Sequence, residues 1–105
     1  MGFPTEMATT PFMELSAAIN VTVPDIADAE IDEVAVDVSS AFGTVLAVGD
    51  AVIAIPQEAL MTSAILCGAY VSDADEITVS FAAKEGGSGV TGAAKSFKFL
   101  AVDFT

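Results

Sequence analysis

Residues 49–81 limit the fold more than any other part of the chain. This passage holds three apolar runs of strand length: Ala51-Val52-Ile53-Ala54-Ile55, Ile65-Leu66-Cys67-Gly68-Ala69-Tyr70-Val71 and Ile77-Thr78-Val79-Ser80-Phe81. Turn chemistry separates them. Gly49-Asp50 leads into the first run, since glycine accepts positive φ and aspartate hydrogen-bonds nearby backbone. Pro56 closes that run, because it has no N–H for a ladder. Residues 72–76 are a polar connection of hairpin length. The passage predicts an antiparallel unit with the remaining strands packed around it.

Those other strands are predicted at 18–23, where Ile19, Val21 and Val23 alternate with polar residues, and at 31–39, with Val34, Val36 and Val38 on one face and Ala35 and Asp37 on a wetter one. Residues 44–48 read as a short strand or an extended approach. The last strand is predicted over 95–104, with Phe97, Phe99 and Ala101 on one side and Lys98, Leu100, Val102 and Phe104 on the other; two apolar sides suit burial on both faces. Residues 56–62 have the makings of one helical turn, and 83–92, with Gly86, Gly87, Gly89 and Gly92, read as a flexible loop. No sustained 3.6-residue period occurs. The expected architecture is all-β: a single small β-sandwich or jelly-roll-like barrel over residues 18–105, with an extended N-terminal arm over residues 1–17.

Composition points toward association. The 105-residue chain is 53% hydrophobic with a mean hydropathy of +0.67, more apolar surface than one small core hides. The excess is expected to meet another chain. Formal net charge is −12, and the only cations are Lys84, Lys95 and Lys98. Such a chain repels a phosphate backbone and an anionic membrane surface, so neither nucleic acid nor membrane is expected as a partner. No apolar run approaches the ~20 residues of a spanning helix. The first residues lack the basic and apolar regions of a secretory signal.

The residues give little for catalysis to use. There is no histidine and one cysteine, which removes the commonest general base and the usual zinc ligands. Cys67 sits in an apolar run, where a buried, inert thiol is expected. The glycines of 86–89 lack the spacing and the Lys-Ser/Thr ending of a phosphate loop. Asp73-Ala74-Asp75-Glu76 resembles a fragment of an oxygen-donor calcium loop without its full pattern, and reads first as a solvated turn. The acids of 25–37 read as a solvated face or a patch for a basic partner. The expectation is a non-enzyme without metal or cofactor.

Gly49-Asp50-x-Val52, Pro56 and Leu60, Gly68-Ala69-Tyr70-Val71-Ser72, Asp75 and Ile77-Thr78-Val79 together resemble small tailed-phage virion proteins. The likeness covers residues 44–105 and departs from the pattern at Ser80-Phe81-Ala82. It implies a β-sandwich capsid cement or decoration protein, located on the outer capsid surface and commonly trimeric. Its implied partners are the major capsid protein and further copies of itself. On this reading Phe3, Met7, Phe12 and Met13 are candidate arm contacts, and Phe97 and Phe104 candidates for subunit packing, with core as the plainer role for Phe97. The alternative is a tail-fibre or surface module binding a glycan or protein receptor.

Overall fold

A computed structural model describes residues 12–103. Among these residues seven strands are formed: β1 (Phe12–Leu15), β2 (Ile19–Val23), β3 (Ile31–Asp37), β4 (Ala51–Pro56), β5 (Ala64–Asp73), β6 (Glu76–Ala83) and β7 (Ala93–Asp103). They make two antiparallel sheets. In the first, β7 is central: β1 and β2 follow one another along one of its edges, and β4 pairs with the other. The second has the order β3-β6-β5. No helix occurs among the described residues.

The two central strands face each other and make the core. From β7, Phe97, Phe99 and Ala101 point inward; from β6, Ile77, Val79, Phe81 and Ala83. Phe81 meets Phe97 edge-on, with ring centroids 6.1 Å apart, and Phe97 stacks near-parallel with Phe99 at 6.2 Å. Such aromatic pairs add about 0.5–1.5 kcal/mol beyond their buried area. The inward rows are the alternate positions of each strand, as the two-residue period requires.

The residues of 12–17 are not an arm. β1 pairs with β7 from Phe12↔Asp103 to Leu15↔Leu100, and β2 resumes at Ile19↔Phe97. Between them three residues oppose two, a bulge in one edge strand. Ser16, 3% exposed, serves as the hinge of this bulge. Its N–H donates to the Phe99 carbonyl, its Oγ accepts from the Phe99 N–H, and its hydroxyl donates to the Ala17 carbonyl, each at 2.8 Å. The end of the predicted arm, Phe12–Leu15, thus belongs to the sheet, and its residues 1–11 lie outside the described residues.

The unit predicted over 49–81 is half right. β5 and β6 form the hairpin, with Asp75 at a φ of 54° in its turn. β4 does not join them; it pairs with β7 in the opposite sheet. Neighbours in sequence lost to a long-range partner because β7 offers a full-length edge and β4 ends at Pro56, whose following residues 57–63 cross between sheets. That crossing is not helical: Ser63 has a φ of 73°, and Leu60 and Met61 pack against the core. Residues 44–48 form no strand either. The stretch 38–50 is a loop that buries Val38, Phe42 and Leu46 while Val45 and Val48 stay exposed.

The glycine loop is a close contact rather than a slack tether. Ile26 and Val90 form an isolated bridge, and a side chain on Gly92 would collide with the Val23 carbonyl. The Gly92 N–H donates to Asp25 Oδ1 at 2.6 Å.

Candidate docking face

The outward residues of the first sheet come together as one apolar surface. Register places Met13, Val102 and Ala51 in one row, and Leu15, Leu100 and Ile53 in the next. Ile55 and Lys98 form a third. Met13 is 60% exposed, Leu15 52% and Ile53 57%. None of these eight residues is acidic, in a chain with 15 carboxylates. Glu14, between Met13 and Leu15, turns the other way: its Oε2 accepts from the Gly43 N–H at 2.6 Å and its Oε1 from Thr44 at 3.1 Å. Toward β2 the same face turns polar, with Asn20 opposite Ser96 and Thr22 opposite Ala94.

The outer face of the second sheet is different. Ile31, Ala82 and Ile65 make one apolar row at its end. Beyond it lie Glu33, Asp37, Asp73 and Glu76 with a run of hydroxyls. Thr78 donates to Ser72 Oγ at 2.8 Å, Ser72 donates to Glu76 Oε1 at 2.7 Å, and Ser80 donates to Glu33 Oε2 at 3.0 Å. Tyr70 stands half-exposed beside Thr78. The body thus carries an apolar, acid-free side and an acidic, hydroxylated one.

Several carboxylates are tied to the backbone. Asp75 Oδ1 accepts from the Leu46 N–H at 3.0 Å, its own N–H donates to the Leu46 carbonyl at 3.1 Å, and its carbonyl accepts from Val38 at 2.9 Å. One residue of the hairpin turn thereby holds the 38–50 loop. Glu58 accepts from the Ser96 N–H at 2.8 Å and lies 3.8 Å from Lys95 Nζ. At Asp37 the Ser39 backbone N–H, and secondarily its hydroxyl, hold the carboxyl below its usual range. Charge-assisted bonds of this kind are the stronger class, and they give much of the acidity a structural use that its sequence pattern did not reveal.

No described group of three or more acids, histidines or cysteines is arranged to hold a metal ion. Between β4 and β5 runs an open groove of about 340 Å³, lined by Val52, Ile53, Ala54, Leu66, Cys67, Gly68 and Ala69. It offers no charged side chain. Cys67 is exposed there, contrary to expectation: the bulge between Leu66 and Gly68 makes it the extra residue and breaks the inward alternation.

The predicted contact residues divide. Met13 lies on the apolar face. Phe97 takes the plainer of its two roles: it is 0% exposed at the centre of the core. Phe12 enters through the backbone of β1, and its side chain, like Phe3, Met7 and Phe104, lies outside the described residues. Sequence reasoning missed Leu15, Ile53, Leu100 and Val102 as surface. The signal was the second apolar side of the last strand, which was read as covered by the chain itself. Compared with known protein families, curated proteins and solved structures, the chain matches none.

Proposed function

We propose that this chain is a structural adhesive: a capsid cement or decoration protein that seats on the outer shell of a virion and holds neighbouring major capsid protein subunits together. The observation that carries the reading is the acid-free apolar face of β1, β7 and β4, on a chain otherwise rich in carboxylates. A contiguous patch of this kind marks a protein-contact surface. Its residues sit on paired strands rather than loops, so the surface is presented rigidly. The virion setting rests on the resemblance carried by residues 49–79. The acidic second sheet suits a solvated outside.

The test is co-sedimentation with shells built from the major capsid protein of the same genome. Saturable binding that raises the shells' melting temperature is the expected result. Absence of binding at concentrations well above the micromolar range overturns the reading. A second reading, receptor binding, is favoured by one observation: half-exposed Tyr70 among hydroxyls and carboxylates, the amphipathic arrangement that suits a sugar ring. A glycan-array signal lost in Tyr70→Ala would select it.

A further inference from the structure

We infer that the occupant of the apolar face is a second copy of this chain, and that the pairing is two-fold. The inference rests on the reading of this face as adhesive, and assigns the face itself to the contact between copies, so that contact with a shell falls to the remaining surfaces of the pair.

The first argument is charge. Two copies of a chain with net charge −12 repel each other on most approaches. Approach through β1, β7 and β4 is the exception. Among the described residues no outward side chain there is acidic, and the one that is charged is Lys98, in the outermost row beside Ile55. The carboxylates of the second sheet, Glu33, Asp37, Asp73 and Glu76, end on the far sides of both copies. A cyclic trimer built on this face must set it against a different surface of the next copy, and the outer face of the second sheet is largely acidic. Face-on-face pairing meets no such surface.

The second argument is shape. Leu100 lies in the middle row of the face, with Leu15 on one flank and Ile53 on the other. A two-fold axis at Leu100 places each Leu15 and Ile53 against the other copy's row, the self-complementarity that an isologous contact needs. Sheets pack face to face about 10 Å apart with strands within ~30°, a spacing these aliphatic side chains fill.

The third argument is area. Three strands ~4.8 Å apart, each contributing about five residues at ~3.4 Å, cover roughly 250 Å² in projection. That is the size of an interface's apolar centre, not of a whole interface of about 800 Å² per partner. The polar margin is also in place: Asn20, Thr22 and Ser96 continue the face beyond Lys98. An apolar centre with a polar rim is the usual anatomy.

The experiment is the solution mass of the full chain, without shells, by light scattering and sedimentation. The expected mass is about twice the 10.6 kDa of the chain. Raising salt from ~0.05 to ~0.5 M is expected to tighten association several-fold, because it screens repulsion without breaking any ion pair. Leu15→Glu combined with Ile53→Glu is expected to give a folded monomer, checked by circular dichroism. Ile31→Glu combined with Ile65→Glu, on the other sheet, is expected to leave the dimer intact. A monomer at ~100 µM, a threefold mass, or a dimer that survives Leu15→Glu/Ile53→Glu overturns the inference. So does a wild-type monomer that dimerises only when residues 1–11 are removed, since the chain's own segment would then be the cover. Shell binding is read separately. Dimers that ignore shells refute the cement reading and leave the pairing standing; monomers that bind shells do the reverse.

Discussion

Replacing Ser16 with alanine tests the account of the edge strand most directly. Ser16 sits where three residues oppose two, and its Oγ is the acceptor for the Phe99 N–H at 2.8 Å. Phe99 is fully buried, so water has no route to that donor once the hydroxyl is gone. The second bond lost, to the Ala17 carbonyl, matters less because Ala17 is exposed. A buried amide left without a partner costs about 1–3 kcal/mol. Taking ~2 kcal/mol and a urea slope near 2 kcal/mol/M, the midpoint falls by about 1 M; the melting temperature falls by roughly 10 °C for a domain of this size. The assay is urea and thermal unfolding at one fixed protein concentration, since association makes stability concentration-dependent. Thr44→Ala is the control: it also removes one side-chain hydrogen bond, to Glu14, but at an exposed site, and is expected to stay within about 0.5 kcal/mol. If Ser16→Ala loses no more than Thr44→Ala, the bulge does not depend on the hydroxyl.

Asp75→Ala is expected to destabilise by about 1–3 kcal/mol, because the Leu46 N–H loses its acceptor and alanine tolerates the left-handed φ poorly. Asp75→Asn keeps an acceptor and suits that φ, so denaturation should rank it between wild type and alanine. Asp37 has its pKa lowered by the Ser39 N–H and hydroxyl from a usual value of 3.8. Its stabilising share is therefore complete above that value and is lost as pH falls through the lower folded pKa. Melting temperatures followed into acid should show a shallower decline for Asp37→Asn than for wild type, and equal slopes would remove Ser39 from the account. Cys67 is exposed in the folded state, so a thiol reagent should label it to completion without denaturant; labelling only after unfolding would contradict its place at the bulge.

What the sequence disclosed and what it withheld follow one line of physics. Local signals were readable: the alternation of Val34, Val36 and Val38, the stop at Pro56, and the turn carrying Asp75 all depend on residues within a few positions. Pairing partners were not. Phe12-Met13-Glu14-Leu15 is four residues long and finds its register on residues 100–103, so nothing local distinguishes it from a loose arm. β4 and β5 read as neighbours because they are adjacent in sequence, yet β4 was claimed by β7. The apolar face was half-legible. Leu100 and Val102 did announce a second apolar side to the last strand, but a sequence does not say whether the covering layer belongs to the same chain. Glu14, Asp25 and Asp75 were invisible as backbone clips, since a carboxylate that accepts an amide from 29, 67 or 29 residues away looks like any other acid.

The central place of β7 also sets the order in which stickiness arises. Among the described residues β1, β2 and β4 have no partner in their sheet other than β7, and β7 follows all of them along the chain. The hairpin of β5 and β6 needs only contacts close in sequence, which form faster than distant ones, and β3, whose pairing with β6 spans as much chain as that of β4 with β7, has its partner before β7 is made. A ribosome releasing this polypeptide therefore exposes the wetter half first. The greasy plane is assembled only when the final strand slots in, and at that moment it is already rigid and ready to be capped.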